Sequence, residues 1–270
     1  MRPSRLMCAA VLVWAASSAP AFAAACGTDF DAWIADFKVE AAGAGVSNAA
    51  LGALDGLKPD PAIIKLDRNQ HYFKQSFETY KAKRVPPGKI ASGAQKLRAN
   101  DGFFKRLEQK YGVPGPVLVA IWGLETGFGA GSGNVPTIRS LATLANDCRR
   151  SDFFKNELIN ALKIIQHGDL TAASMKGGWA GELGQTQFLP SSYIKFAVDG
   201  DGDGRRDLIH SWPDALASTA NYLKGYGWQA GKPWDEGTPN FGVLTGWNKA
   251  EVYRKTIAWF ATQMATFTPN

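Results

Sequence analysis

Histidine and cysteine are scarce, with three of each in 270 residues. His71, His167 and His210 stand at no ligand spacing from a cysteine or another histidine, which argues against a zinc site and leaves them as surface or capping groups. No phosphate loop, dinucleotide fingerprint or Ser-His-Asp elbow is present. No apolar run reaches the roughly 20 residues that a spanning helix requires. Charge of one sign is also in short supply. The net charge is +6, and setting Arg2 and Arg5 aside leaves 28 basic against 24 acidic residues. Such a mild excess suits an anionic polymer, but without a basic run it gives no support for nucleic acid as a partner. What is there is ordinary globular material, 45% apolar and 20% charged, which excludes disorder, collagen-like repeats and a disulfide-dense miniprotein.

Arg2 and Arg5 precede an apolar stretch from Leu6 to Ala16, and small residues follow to Ala21-Phe22-Ala23, the pattern of a secretory signal and its cleavage site. Residues 1–23 therefore read as a leader and 24–270 as the mature chain, outside the cytoplasm. A rival reading takes Ala23-Ala24-Ala25-Cys26 as a degenerate lipoprotein box with Cys26 as the lipid anchor, although the leucine usual three places before the cysteine is missing. With Cys8 in the leader, Cys26 and Cys148 are the mature cysteines, and an oxidising compartment favours a disulfide between them. The alternative is two buried thiols too far apart to bridge.

Apolar residues recur at helical spacing almost throughout, and no sustained strand alternation occurs, so the fold class is mainly α. The pattern predicts helices over 29–43, 47–55, 67–81, 88–111, 115–125, 152–167, 191–197, 212–226 and 248–265. Gly168 stops the sixth; Ser211 with Asp214 caps the eighth and Gly227 ends it. Glycine-rich stretches at 126–134 and 176–185 carry aromatic and polar residues without a core pattern, as site loops do. There is no internal repeat.

Val117, Ile121 and Leu124 form an apolar stripe after Pro114, and Glu125 emerges beside it just before Thr126-Gly127-Phe128-Gly129 breaks the helix. A carboxylate there faces the negative end of the helix dipole, apolar neighbours such as Trp122 and Phe128, and lost solvation. All three raise its pKa. A glutamic acid still protonated near neutral pH can serve as a general acid toward a glycosidic oxygen. Read locally, the same residue is equally a surface glutamate at a fraying helix end.

The wider pattern is more specific. Gly112-Val113-Pro114, Trp122-Gly123-Leu124-Glu125-Thr126-Gly127-Phe128-Gly129, Ser140-Leu141-Ala142-Thr143-Leu144-Ala145, Cys148-Arg149-Arg150, Gly178-Trp179-Ala180-Gly181, Gly184-Gln185-Thr186-Gln187-Phe188-Leu189-Pro190-Ser191-Ser192-Tyr193 and Ala217-Ser218-Thr219-Ala220-Asn221-Tyr222-Leu223 follow in order. From Asp67 onward the chain resembles the catalytic unit of bacterial lytic murein transglycosylases of the B type. The resemblance implies a lysozyme-like core with additional helices forming a substrate groove, a single unit over 24–270 without a separate C-terminal wall-binding domain, a periplasmic monomer, and peptidoglycan strands as partner. It also implies Glu125 as catalytic acid and base in cleavage between N-acetylmuramic acid and N-acetylglucosamine, ending in a 1,6-anhydro ring. No cofactor is needed for that chemistry.

Further positions carry over from the resemblance. Tyr80, Tyr222, Trp247, Asn248 and Tyr253 match places of aromatic or amide side chains along the glycan, and Trp179 stands in the Trp-Ala-Gly triplet. Tyr80, Tyr222 and Tyr253 also fit a core face, and Asn248 with Glu251 fits an N-cap box. Arg149 and Arg150 are expected to meet substrate carboxylates, or to form a solvated cluster with Asp147 and Asp152. Two departures stand out. Gly178 replaces a serine that often holds the acid, which leaves Gln187 as the expected orienting group, and Glu182 replaces an apolar residue, as a structural group or a second carboxylate near the site.

Asp199, Asp201, Asp203 and Asp207 follow the front half of an EF-hand loop, with Gly204 at its turn. The twelfth place is His210 rather than the closing glutamate. A structural calcium ion is one reading; an Asp-Gly turn capping the next helix is the other. Two alternatives to the transglycosylase also stand. A lysozyme-like muramidase would need Glu182 or another group to activate water, and an inactive peptidoglycan-binding module would need no protonated acid.

Overall fold

In the computed structural model, residues 23–69 and 75–267 are described. The leader lies outside them apart from Ala23, as does His71. Helix α1 (Phe30–Gly43) starts where the Asp29 carboxylate accepts the N–H groups of Asp31 and Ala32, both at 3.1 Å, and it buries Trp33, Phe37 and Ala41. The segment expected as one helix over 47–55 is instead α2 (Asn48–Leu51) followed by a tighter 3₁₀ turn.

Two longer predictions break for identifiable reasons. The helix expected over 67–81 is replaced by α3 (Pro61–Arg68) and α4 (Phe77–Arg84). Pro61 is preorganised for a first turn after the Asp60 cap, and the Ser76 hydroxyl opens a new helix by accepting from Thr79 N–H. The helix expected over 88–111 divides at Asn100 into α5 (Pro87–Ala99) and α6 (Asp101–Tyr111). The Asn100 side-chain amide donates back to the Lys96 carbonyl at 3.0 Å, a local bond that competes with continuing the helix.

Helix α7 (Gly115–Thr126) is apolar on all sides, and every residue from Val117 to Leu124 is buried, as an interior helix requires. It packs against α5, α6 and two later helices, α11 (Trp212–Gly225) and α13 (Glu251–Ala265). Beside this centre lies a second packed group: α8 (Thr137–Asn146), α9 (Ser151–His167) and α10 (Pro190–Phe196). The periodicity did not single out α8, nor α12 (Pro239–Trp247), whose Gly242 and Gly246 weaken any helical signal. Gly168 caps α9 in the left-handed region (φ +81°), and the Ser211 hydroxyl caps α11, both as expected.

Strand structure among the described residues is minimal, which fits the mainly α expectation. Val135–Pro136 (β1) pairs antiparallel with Lys176–Gly177 (β2), and single bridges join Gly177 to Leu183 and Leu183 to Phe188. The two strands of this narrow ribbon bracket α8 and α9 in sequence, and β2 leads into the glycine-rich loop. Cys26 and Cys148 are bonded across 122 residues, with Cα atoms 5.1 Å apart, and tie the N-terminal segment to the turn before α9. No helix among the described residues is long and apolar enough to cross a membrane.

Candidate active site

Glu125 occupies the last turn of α7, and the residues around it explain why that turn ends abruptly. Gly127 takes the left-handed conformation (φ +62°) and Phe128 follows at φ +64°, a costly value for a side-chain-bearing residue. The Phe128 ring is held edge-on to Trp122 at 5.7 Å. It fills the space over Gly123, where an added Cβ would lie 2.8 Å from that ring and 2.9 Å from Phe260. Thr126 donates to the Gln185 carbonyl at 2.6 Å, and the Trp122 indole donates to the Gln185 side-chain oxygen at 3.1 Å. Gln185 therefore locks the glycine-rich loop to the end of α7.

The Glu125 carboxyl is gripped on one oxygen only. Oε1 accepts from the Trp247 indole at 2.9 Å and from the Tyr253 hydroxyl at 2.6 Å. Among the described residues Oε2 has no hydrogen-bond partner, and Glu125 lines a cleft of about 520 Å³. Burial pushes the carboxyl pKa up; the Tyr253 and Trp247 bonds and the Arg84 charge pull it back, the Glu182 charge adds to the rise, and the net direction is upward. Arg84 donates to the Leu124 carbonyl at 2.8 Å and so also neutralises the end of the helix.

Trp247 and Tyr253 are thus the side chains that hold the Glu125 carboxyl. Gln187, expected in that role, is not: its amide donates to the Ser132 and Gly184 carbonyls at 3.0 and 2.9 Å, and its backbone is left-handed (φ +55°). Gln187 does line the cleft, together with Glu182, Trp179, Trp247, Asn248 and Tyr222. Tyr222 reaches it from a largely buried ring, with its hydroxyl on the Gly246 carbonyl at 2.7 Å and its face against Tyr226. Tyr253 is buried, so its hydroxyl rather than its face is used. Tyr80 is not among the cleft-lining residues; it meets Tyr253 edge-on at 6.4 Å. Asn248 accepts from Ala250 N–H at 2.9 Å in a short turn, so the expected cap box with Glu251 does not form.

The arginines correct one of the two expectations placed on them, the solvated cluster with Asp147 and Asp152. Arg149 and Arg150 converge on Asp67, which is buried at 1% exposure; burial pushes its carboxyl pKa up, but the hydrogen bonds and charges of the two arginines together hold it below the usual range. Asp147 pairs with Arg68 and Asp152 with Lys155 instead. Arg150 also lines the cleft and lies over the Phe154 ring.

In the acidic loop, Asp199, Asp201 and Asp203 place one carboxylate oxygen each within 4.8 Å of the others. These hard oxygen donors fit calcium by type. Asp207, expected as a fourth ligand, turns away: it accepts from the N–H groups of Ile209 and His210 at 3.0 and 2.9 Å and contacts the His210 ring at 2.8 Å. Buried Asp214 instead organises the loop by accepting from Gly200 and Asp207 N–H, both at 2.7 Å. The spacing pointed to Asp207 and gave no sign of Asp214, because the latter lies in the following helix.

A family model described as the Transglycosylase SLT domain matches residues 29–238. The membrane-bound lytic murein transglycosylase B of Escherichia coli is 37% identical over 155 residues, which span 56% of this chain and 42% of that protein. A crystal structure of SltB3 from Pseudomonas aeruginosa in complex with NAG-NAM-pentapeptide is 32% identical, with a TM-score of 0.83 over 89% of this chain and 81% of the other. SltB3 has also been crystallised with NAG-anhNAM-pentapeptide. The E. coli lytic transglycosylase Slt35 in complex with calcium is 25% identical, with a TM-score of 0.77 over 86% of this chain and 92% of the other.

Proposed function

The chain belongs to the transglycosylase SLT domain family, and from that premise we propose that it cleaves the β-1,4 bond between N-acetylmuramic acid and N-acetylglucosamine in peptidoglycan and leaves 1,6-anhydromuramic acid ends. The observation that carries the proposal is the Glu125 carboxyl, with its pKa raised by burial, both positioning bonds on Oε1, and Oε2 free of internal partners in the cleft. In this reading Oε2 delivers its proton to the bridging oxygen as the glycosidic bond breaks. The resulting carboxylate then accepts the proton of the C6 hydroxyl as that oxygen bonds to C1. The cycle restores the acid and consumes no water, so one carboxyl performs both transfers. The aromatic edges of Trp179, Trp247 and Tyr222 and the Asn248 amide supply contacts for sugar rings and acetamido groups.

A muramidase is the second reading, favoured by one observation: a second carboxyl, Glu182, lines the same cleft. Digestion of purified sacculi separates the two. Muropeptides one water lighter than the hydrolysis product support transglycosylation, the heavier species supports the muramidase, and binding without release supports an inactive module.

Residues 1–23 act, in this account, as an export signal to the periplasm. Two observations favour cleavage after Ala23. The Ala24 nitrogen sits 2.9 Å from Glu40 Oε2, where a new terminal ammonium would find its counter-charge, and the Cys26 sulfur is already bonded to Cys148 rather than available to a lipid. Calcium at Asp199, Asp201 and Asp203 would stabilise the loop beside α11; the crystallisation of Slt35 in complex with calcium supports that choice of ion.

A further inference from the structure

Gly178 and Glu182 form a matched pair in the wall of the cleft. The Gly178 N–H donates to the Glu182 carbonyl at 2.9 Å and the Gly181 N–H donates back to the Gly178 carbonyl at 3.2 Å, closing a tight turn. Gly181 adopts φ +92°, and a Cβ there would overlap Leu141. The bridges from Gly177 to Leu183 and from Leu183 to Phe188 fix the turn from below. Within it the Glu182 carboxyl folds back over its own backbone, with Oε2 accepting from the Ala180 N–H at 3.1 Å. A Cβ at Gly178 would overlap Glu182 Oε2 and come within 3.0 Å of Gln187 Oε1. The glutamate therefore fills the space that a side chain at position 178 would need, and moving its carboxyl away gives up the bond from the Ala180 N–H.

We propose, building on the transglycosylase reading, that Glu182 is a positioning residue for the reaction at Glu125: a fixed second carboxylate in the same cleft that keeps the proton on its neighbour. The charges around the pair determine whether this works. Facing Glu125 are Arg84 from α4, Tyr253 from α13, Tyr80 from α4, and Glu182; Trp247 contributes an indole dipole. Arg84 and the two hydrogen bonds draw the proton off, burial and Glu182 retain it, and Glu182 is the negative charge on the retaining side. Burial raises the Glu182 carboxyl pKa as well, while the backbone N–H groups of Glu182 and Ala180 and the Arg150 charge draw it back toward the charged form; Arg150 is also the cation that faces it. Arg150 is bound to buried Asp67, which shares its charge and leaves Glu182 able to act on Glu125. A like charge held nearby in a poorly solvated cleft favours protonation of its neighbour. Oε2 of Glu182 is committed to the turn, so the residue is placed to act through its field rather than by reaching for a proton.

The test uses the mature full-length chain with Glu182→Gln, which keeps the acceptor for Ala180 N–H and removes only the charge. The alkaline limb of kcat/KM on sacculi is expected to move about half to one pH unit lower, so that activity above it falls about three- to tenfold while the acidic plateau is kept. Glu182→Asp, which restores the charge, is expected to return the limb to its original place whatever its effect on rate. Direct titration of the Glu125 carboxyl by carbon-13 NMR, assigned with Glu125→Gln, is expected to show the same downward shift in Glu182→Gln. An unmoved or raised Glu125 titration would overturn the inference, as would a Glu182→Asp limb displaced like that of Glu182→Gln. Loss of a hydrated product in Glu182→Gln would overturn it too, since that outcome makes Glu182 a base toward water. Failure of the transglycosylase reading would appear separately, as absence of the anhydro product from the unsubstituted chain, and leaves the NMR comparison intact.

Discussion

The end of α7 and the 199–207 loop are both built around carboxylates, and the two places treat a proton in opposite ways. At Glu125 solvent is largely removed and a second carboxyl stands nearby, so the proton is held. In the loop Asp199 is half-buried and its charge is met by the N–H groups of Gly204 and Gly202 at 2.8 and 2.6 Å, so the proton is given up more readily than usual. Residue type is nearly the same in both. What differs is hydration and the number of donors aimed at the charged form, and these decide whether a carboxyl becomes an acid catalyst or a cation ligand.

Exchanging the carboxyl for an amide in both places should sharpen that contrast most strongly. Glu125→Gln is expected to lower the rate of sacculus solubilisation by about 10³-fold, the scale of a lost general acid and base, whereas Asp199→Asn should leave it within about twofold. Comparable losses in the two variants would erase the functional distinction. The next largest effect concerns the grip on Oε1. Tyr253→Phe removes a donor that favours the charged carboxylate, so the alkaline limb of kcat/KM should move up, while looser positioning lowers kcat by about tenfold or more. A pH–rate profile reads both, and a limb that moves down would contradict the assignment.

Stability supplies two smaller tests. Because folding raises the Glu125 pKa above its ordinary 4.5, the folded state is favoured most while the group is protonated in both states and loses stability as pH climbs from 4.5 through the folded value. Glu125→Gln escapes that loss. Its melting temperature at pH 7 should exceed that of the unsubstituted chain by about 2–4 °C, on the scale of about 1 kcal/mol in a domain of this size, and the gap should close below pH 4. In the acidic loop the sign reverses, since a cation stabilises the charged form. With about 2 mM calcium and a Kd of about 1 mM the gain is about 0.6 kcal/mol, or about 2 °C, and Asp201→Asn should abolish it. Differential scanning calorimetry with and without a chelator measures this directly.

These same two regions mark where the sequence could and could not be read. Local cues, an apolar stripe, a glycine stop and aromatic neighbours within a few residues, made Glu125 a candidate, and the resemblance of the surrounding blocks singled it out. Gly168 and Ser211 were legible for the same reason. Trp247 and Tyr253 were expected along the glycan, but their bonds to Glu125 were not foreseen, because they lie 122 and 128 residues away and meet it only when α12 and α13 pack beside α7. Local reasoning assigned the work to Gln187, whose amide is taken by backbone carbonyls of its own turn. The partner of the two arginines was hidden in the same manner, since Asp67 is 82 residues distant from Arg149 and 83 from Arg150. Helix boundaries moved where a side chain bonded to nearby backbone, as at Asn100, a choice that apolar periodicity does not record.

A proton resident at the end of α7 is what both transfers require, and titration of the Glu125 carboxyl in the intact, unsubstituted chain measures it without reference to any product. A carbon-13 midpoint clearly above 4.5, displaced toward neutrality, is the expected result. A midpoint at or below 4.5 would mean that the group is ionised at working pH and has no proton to give.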